Sequence, residues 1–291
     1  MVCTSRDIFV RQQAALSRSD EPFDKSILLL LKKGPANRNE LKHYLESSLN
    51  RFMEKEYDMQ RDITVFWLLE IYLSELSEHR QSTTNVSDEG ESQLRQLKDQ
   101  IFSFINKPIV LQTIKDNQMA VYRLISSHVN FDVQLYLANK LNDIQTVIKI
   151  LLIQKSYKEI LDLLERDNSN LIYEYSEALI TQVPVELISL LLKKLNNLDP
   201  LKLLPAFLKC LNPELKNRAT MVDSVFLFIE NLTPTQTNGP FLDFCINLYA
   251  TFRPLQLLPF MKKCICKAHN SSFNTLEAIR ICKEHGFLFL L

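Results

Sequence analysis

The sequence feature that most constrains the fold is a run of apolar segments, each three to four helical turns long, separated by breaks of only two to eight residues. Within each segment the apolar residues recur three and four positions apart, which places them on one face of an α-helix. Breaks this short turn each helix back along its predecessor, so successive segments should form antiparallel helix pairs. The pattern predicts helices near residues 117–127, 131–140, 143–153, 156–166, 169–181, 184–196, 200–211, 219–231, 240–251, 254–268 and 273–285.

The starts of several segments carry residues that favour helix initiation. Asp143 and Asp199 are good N-caps, because a carboxylate accepts hydrogen bonds from the free N–H groups of the first turn. Proline has a helical φ and lacks an N–H that the first turn would leave unbonded. It opens four further segments, at Pro184, Pro200, Pro240 and Pro254. We therefore predict an all-α fold, an α-solenoid of stacked antiparallel helix pairs.

The amino-terminal part of the chain is also helical in pattern. Asp62 is placed to cap a helix over 63–76 that is apolar nearly all round, so this helix should be packed on several sides. A second helix, with apolar residues at helical spacing from Leu94 to Ile105, is amphipathic and is stopped by Lys107-Pro108. Both helices are predicted to contribute to a core.

Between these two helices the sequence QSTTNVSDEGES, residues 81–92, is polar and acidic and has no side chain to anchor it in a core. We predict that it is a flexible polar loop. The predicted organisation is an N-terminal helical segment (1–80), this loop (81–92), the α-solenoid (93–286) and an apolar tail (287–291).

Charge and hydropathy argue against several classes of partner. Lys plus Arg and Asp plus Glu number 34 each, so no global field attracts a nucleic acid. No apolar run approaches the ~20 residues that cross a bilayer, and residues 1–20 lack the apolar core of a secretory signal. We expect a cytoplasmic protein whose six cysteines are reduced thiols without disulfides, with neither a nucleic acid nor a small-molecule substrate.

The cluster most like a metal site comprises Cys264, Cys266, His269, Cys282 and His285, an inventory that zinc uses. Residues two apart on a helix point to nearly opposite sides, so Cys264 and Cys266 cannot both face one ion while the helix continues. We interpret the cysteines as small buried side chains and the histidines as surface residues. A zinc-dependent enzyme using Cys264, Cys266, Cys282 and His285 is the alternative.

No pattern typical of catalysis stands out. The four glycines are isolated, and no nucleophile elbow, phosphate loop, calcium loop or HExxH helix occurs. Ser127-His128 lies at a helix end, where histidine commonly meets free carbonyls. The pairs Lys32-Lys33, Lys193-Lys194 and Lys262-Lys263 fit helix C-termini, where cations complement the dipole. We predict no catalytic, cofactor-binding or metal-binding residues, no cofactor and no enzymatic activity.

Six blocks of the sequence are more specific than amphipathicity demands. They are TVFWLLEIYLSEL (64–76), AVYRLISSH (120–128), YKEILDLLER (157–166), VPVELISLLLKKLNNLDPLKLLPAFLKC (183–210), NLYATFRPLQLLPFM (247–261) and LEAIRICKEHG (276–286). In order and spacing they resemble the central region of the vacuolar protein sorting-associated protein 18 family. The resemblance implies an α-solenoid of the clathrin heavy chain repeat kind.

For function, the resemblance implies a core subunit of the HOPS and CORVET tethering complexes, which bring endosomes, lysosomes or vacuoles, and autophagosomes together before fusion. It implies other tethering subunits as partners, namely the vacuolar protein sorting-associated proteins 11, 16, 33 and 41. It also implies a peripheral place on late endosome, lysosome or vacuole membranes. A clathrin-type coat or cargo-adaptor solenoid is the alternative.

This sequence departs from the family at both ends. The family carries an amino-terminal β-propeller and a carboxy-terminal RING zinc domain. Neither the glycine-rich strand pattern of the first nor the paired CxxC ligands of the second occurs in the sequence. We expect a fragment or a natural short form, to which RING-linked ubiquitin-ligase activity does not transfer.

Overall fold

A computed structural model of the chain describes residue 27 and residues 38–52, 58–82, 88–167, 170–232, 239–267, 275–284 and 286. These residues are almost entirely helical, and no β-strand occurs among them. None of their helices is long and apolar enough to cross a bilayer. The chain divides into two compact units, residues 1–150 and 151–291. The fold is therefore all-α, as predicted.

The first unit is organised around one long helix. Its helices are α1 (Arg38–Leu49), α2 (Asp58–Ser82), α3 (Asp88–Ile105), α4 (Pro108–Asp116), α5 (Gln118–Ser127) and α6 (Phe131–Leu141), followed by α7 (Ile144–Gln154), which includes the boundary. Helix α2 packs against α1, α3, α4 and α5. Its side chains Val65, Leu68, Leu69 and Leu73 are completely buried. The prediction that this apolar segment is packed on several sides is confirmed.

The predicted start of α2 at Asp62 is wrong. The helix begins one turn earlier, at Asp58, and Arg61 Nη1 lies 2.7 Å from Asp58 Oδ1 within that first turn. Asp62 instead accepts a hydrogen bond from Asn117 Nδ2 at 3.1 Å, which joins α2 to the start of α5. A polar first turn carries no apolar periodicity, so the sequence pattern placed the start where the apolar residues begin.

The predicted loop over 81–92 is too long at both ends. Helix α2 runs to Ser82, and α3 begins at Asp88, while residues 83–87 lie outside the described part. Arg95 Nη2 lies 3.3 Å from Glu91 Oε2, an i to i+4 ion pair that a helix brings together. The exposed first turns of an amphipathic helix need no apolar anchor. Their polar composition therefore led to the wrong prediction that the first turns of α3 belong to a loop. The predicted tail, 287–291, lies outside the described residues.

Helix α4 was missed because Pro108 was interpreted only as a stop. Pro108 follows the short connection after α3 and is the first residue of α4. A proline fits at this position without loss of a hydrogen bond. Val110 and Ile114, four positions apart on α4, are completely buried.

The second unit consists of shorter helices. They are α8 (Tyr157–Arg166), α9 (Leu171–Gln182), α10 (Pro184–Lys193), α11 (Leu204–Leu208), α12 (Arg218–Asn231), α13 (Gly239–Phe252), α14 (Pro254–Lys267) and α15 (Thr275–Glu284). Short 3₁₀ turns cover Leu195–Asn197, Pro200–Leu203 and Lys209–Leu211. The predicted helices match most of these closely. The predicted helix 200–211 is instead a succession of 3₁₀, α and 3₁₀ segments around Pro205, which has no N–H to donate.

The caps predicted at Asp143 and Asp199 are present. Asp143 Oδ1 accepts from the Thr146 amide at 3.1 Å, and its Oδ2 accepts from Thr146 Oγ1 at 2.8 Å. Asp199 Oδ1 accepts from the Leu201 amide at 3.0 Å, although the segment that it caps starts as a 3₁₀ turn. Capping chemistry was therefore visible in the sequence, whereas the type of helix was not.

Packing in the second unit follows a repeating order. Helices contact their next neighbour, as in α8 with α9 and α9 with α10, and also the next but one, as in α8 with α10, α9 with α11 and α10 with α12. This order is what stacked helix pairs produce, so the unit has the α-solenoid arrangement. The core is rich in aromatic rings. The Phe207 ring on α11 lies 5.2 Å from that of Phe228 on α12 and 6.2 Å from that of Phe241 on α13.

Candidate interaction surface

The metal-like cluster of the sequence lies largely outside what the structure describes. Cys264 and Cys266 belong to α14 and Cys282 to α15, but their side chains, like His269 and His285, are not among the described parts. Among the described side chains, no three His, Cys, Asp or Glu residues group as metal ligands would. The absence of a metal site from the whole chain stays a prediction.

Cys210 is a completely buried thiol on the turn after α11. Burial raises its pKa to about 11, and the nearby Arg218 guanidinium offsets only part of that effect. Since the thiolate is the nucleophilic form, a thiol with so high a pKa is unreactive near neutral pH. Cys210 is thus a packing residue.

His128, which follows α5, lies in a polar cluster with a serine and a carboxylate. Its Nε2 is 3.0 Å from Glu70 Oε2, and its Nδ1 is 3.4 Å from Ser77 Oγ. The Ser77 hydroxyl donates its proton to the Leu73 carbonyl at 2.8 Å, so that proton is not directed at the imidazole as it would be in a nucleophilic triad. Ser127, the residue before His128, donates to the Leu124 carbonyl at 2.7 Å. The cluster joins the end of α5 to α2.

The basic pair at Lys193-Lys194 acts at a helix end, as its sequence suggested. Lys194 Nζ donates to the Leu164 carbonyl at 2.6 Å and to the Asp167 carbonyl at 2.5 Å, which satisfies carbonyls at the C-terminus of α8. Lys193 Nζ lies 2.8 Å from Glu165 Oε1. Lys262 and Lys263 are exposed on α14, and Lys32-Lys33 lie outside the described residues.

An open groove of about 440 Å³ lies where the first turns of α12 meet the end of α13. One wall comes from Ala219 and Val222 on α12, which lie three positions apart and so share a face of the helix. Phe226, one turn further along α12, and Phe252, the last residue of α13, complete an apolar floor. We call this feature the α12–α13 groove.

Arg253 forms one edge of the α12–α13 groove and is fixed by three interactions. Its guanidinium lies over the Phe226 ring, 4.0 Å from the centroid. Its Nη2 donates to Asp223 Oδ1 at 2.9 Å and its Nη1 donates to Glu230 Oε1 at 3.1 Å. Asp223 and Glu230 lie seven positions apart on the exposed face of α12, so one guanidinium reaches both. The charge of Arg253 is therefore compensated.

Arg218 forms the other edge, and its charge is not compensated. Its Nε donates to the Cys210 carbonyl at 3.2 Å and its Nη2 donates to the Leu211 carbonyl at 3.4 Å. Its guanidinium lies 4.9 Å from the centroid of the Phe252 ring. In the described part of the chain, no carboxylate lies within ion-pair distance of it. The α12–α13 groove thus combines an apolar floor with one available cation.

Neither arginine of the groove was singled out from the sequence. Phe226 is completely buried. The two arginines are separated by 34 intervening residues, and helical periodicity does not say which side chains of different helices meet. The sequence did contain one relevant signal. Arg218 lies at the first position of α12, and Arg253 follows the last residue of α13.

Comparison with known proteins gives a consistent result. Residues 144–288, about half of the chain, match the family model described as VPS18, alpha-solenoid domain, second half. A vacuolar protein sorting-associated protein 18 homolog of Caenorhabditis elegans is 30% identical over 285 residues, which are 95% of this chain and 27% of that protein. The homolog of Danio rerio is 24% identical over 85% of this chain and 25% of its own length. The chain spans about a quarter of the length of these two relatives.

Proposed function

The chain belongs to the VPS18 family, and we propose that it is a non-enzymatic scaffold of an endosomal-lysosomal or vacuolar membrane tethering complex of the HOPS and CORVET kind. The observation that carries the proposal is the relative named for vacuolar protein sorting that matches 95% of the chain. In this role the chain supports vesicle docking and fusion, autophagy and traffic from endosome to lysosome.

The helical architecture suits a scaffold on physical grounds. Each stacked helix pair buries apolar surface against its neighbours at about 25 cal/mol per Å², so the array holds its shape without a metal or cofactor. The outward residues are then left to contact other proteins. In the second unit, exposed Val185, Leu208 and Leu227 provide apolar area of the kind that protein interfaces cover. The extent of the array, predicted as residues 93–286, stays a prediction.

The chemistry of the α12–α13 groove supports binding rather than catalysis. Its lining contains two arginines and one ion-paired aspartate among alanine, valine and phenylalanine side chains, and it holds no serine, cysteine or histidine. The one carboxylate of the lining, Asp223, which could act as a general base, is ion-paired with Arg253. We accordingly propose that the chain works by holding partners in place.

The proposed partners are the vacuolar protein sorting-associated proteins 11, 16, 33 and 41 or their counterparts. Through them the chain would associate peripherally with late endosome, lysosome or vacuole membranes. The test is affinity purification of the tagged chain from cells, followed by mass spectrometry. We expect these subunits to be recovered together.

The negative control is Phe207→Ala, which disrupts the core where α11, α12 and α13 meet, because a chain with loosened helix packing should recover fewer partners. Circular dichroism of the purified chain establishes that the wild type is folded. A folded wild-type chain that recovers none of the four subunits would contradict the proposal. Self-assembly into large particles on sedimentation would instead favour a coat protein.

A further inference from the structure

We propose that the α12–α13 groove binds a segment of a partner protein in which an acidic side chain lies next to a large apolar one. This inference rests on the proposed scaffold function and names the chemistry of one of its partners. It assigns the acidic group to the Arg218 end of the groove and the apolar group to the exposed Ala219 and the partly exposed Phe252, beside the buried Val222 and Phe226.

The size and floor of the groove favour an apolar side chain. A volume of about 440 Å³ lies within the range of about 300–1,000 Å³ that is usual for binding pockets. Phe252 remains partly exposed beside the groove although it is one of the largest apolar side chains. An incoming aromatic or leucine side chain would cover this ring and remove both apolar surfaces from water.

The charge at the Arg218 end favours a carboxylate. Arg218 donates to two backbone carbonyls and has no acidic partner in the described residues, so it is the uncompensated charge of the groove. It is also the first residue of α12, whose positive dipole end therefore lies at the same place. The preceding Asn217 makes no side-chain cap to this helix. The Arg218 guanidinium and the N-terminus of α12 therefore both attract a negatively charged group.

The acidic residues of α12 do not cancel this effect. The nearer, Asp223, already accepts from Arg253 at 2.9 Å. Glu230 is twelve positions from Arg218, or about 18 Å along the axis at 1.5 Å per residue. That distance exceeds the Debye length of about 8 Å at physiological salt, so Glu230 is screened from Arg218. The groove is therefore positive at one end and apolar at its centre.

A protein segment fits this arrangement better than a nucleic acid or a phosphorylated lipid. Phosphate backbones are bound by several basic side chains, because each carries repeated charge. The groove offers a single uncompensated guanidinium, beside a second that is already bonded to two carboxylates. A protein segment with one acidic residue beside an apolar residue matches this single uncompensated positive charge.

The experiment measures fluorescence anisotropy of short labelled peptides with the purified chain at physiological salt, where Glu230 is screened from Arg218. The probe is a Gly-Ser peptide with one phenylalanine between two aspartates, and two further peptides carry asparagine or lysine in place of aspartate. An ion pair at a partly exposed site contributes at most about fivefold in affinity, so we expect the aspartate peptide to bind up to about fivefold more tightly than the asparagine peptide. The lysine peptide should bind most weakly, and the advantage of aspartate should shrink at about 1 M salt, where the Debye length falls to about 3 Å.

Four variants test the site. Ala219→Trp should fill the groove and remove binding of all peptides, whereas Thr220→Trp, exposed on the same helix and outside the groove lining, should not. Arg218→Gln should abolish the preference for aspartate over asparagine, and Arg218→Lys should restore part of it. Unfolding midpoints equal to that of the wild type verify that the variants are folded.

Equal binding of the three peptides, no binding of any, or binding that Ala219→Trp leaves unchanged would each overturn the groove assignment. The purification from cells separates this outcome from a failure of the scaffold proposal. If the wild-type chain recovers the tethering subunits while the peptides do not bind, the scaffold proposal stands and the groove assignment falls. If no tethering subunit is recovered but the wild-type chain prefers the aspartate peptide and Ala219→Trp loses binding, the groove assignment stands and the scaffold proposal falls.

Discussion

The described helices of residues 1–150 surround one long helix, whereas those of residues 151–291 are short and stack in pairs. Helix α2 has 25 residues and contacts four other helices, but no helix described in the second unit exceeds 14 residues. The difference follows from the sequence. An uninterrupted segment that is apolar all round must be covered on all sides, while prolines at 184, 200, 205 and 254 divide the second unit into helices with narrower apolar faces.

The two units also differ in what accompanies their apolar cores. In the first, polar groups bridge α1 and α2: Lys42 Nζ lies 2.7 Å from Glu75 Oε2, and the Tyr72 hydroxyl donates to Glu46 Oε1 at 2.6 Å. In the second, aromatic rings of three helices meet at Phe207. A defect in α2 should therefore loosen a whole unit, and a defect at Phe207 should loosen one junction.

The largest expected effect is at this aromatic junction. Phe207→Ala removes a completely buried ring and should lower the free energy of unfolding by about 3–5 kcal/mol. Hydrogen exchange should accelerate mainly in α9, α11, α12 and α13. The control Leu208→Ala, whose side chain is 47% exposed, should change stability by less than about 0.5 kcal/mol. Equal effects of the two variants would show that the junction is not a core.

The corresponding change in the first unit is Leu73→Ala in the middle of α2. Loss of this completely buried side chain should cost about 2–5 kcal/mol. Because α2 contacts four helices, exchange should rise together in α1 to α5. Met59→Ala, at an exposed position of the same helix, serves as the control. An increase confined to α2 would remove the contrast between the units.

Arg253→Ala tests the polar side of the second unit. It removes the hydrogen bonds to Asp223 and Glu230 and the contact with the Phe226 ring. The residue is partly exposed, so solvent screening limits the expected destabilisation to about 1–2 kcal/mol in denaturant unfolding. Lys263→Ala on α14 should have no measurable effect. A neutral Arg253→Ala would mean that this network does not stabilise the fold.

Asp143→Ala probes a local signal in the first unit. The substitution removes the cap on the Thr146 amide and should cost about 1 kcal/mol. Replacement by Asn keeps an acceptor and should retain most of the stability. Asp99→Ala, at an exposed position of α3, should leave the unfolding midpoint unchanged. A loss from Asp143→Asn as large as that from Asp143→Ala would exclude capping as the cause.

Alkaline pH should produce an effect that is absent near neutral pH. Burial, reinforced by the negative charge of Asp143, raises the pKa of Tyr122 to about 12 from a usual value near 10. Between those values the unfolded chain loses the phenolic proton while the folded chain keeps it, so stability falls as pH rises. Tyr122→Phe should remove part of this fall, and Tyr157→Phe, at a less buried position, should not. Identical slopes for Tyr122→Phe and the wild type would contradict this reasoning.

Most of the helices could be predicted from the sequence because each is defined by local signals. Apolar spacing located the helices, and Asp143 and Pro184 marked starts that the structure retains. Asp62 was misassigned because the turn before it is polar, and Pro108 because one residue can both end a connection and begin a helix. These errors arise where local signals have two structural meanings.

The α12–α13 groove could not be predicted in the same way. Arg218 and Arg253 come together only through the packing of α12 on the end of α13. Helical periodicity states which face of a helix is apolar but not which residue of another helix lies opposite. Membership of the VPS18 family was nonetheless visible in the sequence blocks, since they combine residue types that periodicity alone does not require.

The most direct test of the account is sedimentation of the purified chain mixed with the purified vacuolar protein sorting-associated proteins 11, 16, 33 and 41. If the chain is a tethering scaffold, at least one of these subunits should sediment with it as a discrete complex of stoichiometric mass. If a folded chain sediments alone in every mixture, the scaffold account is contradicted.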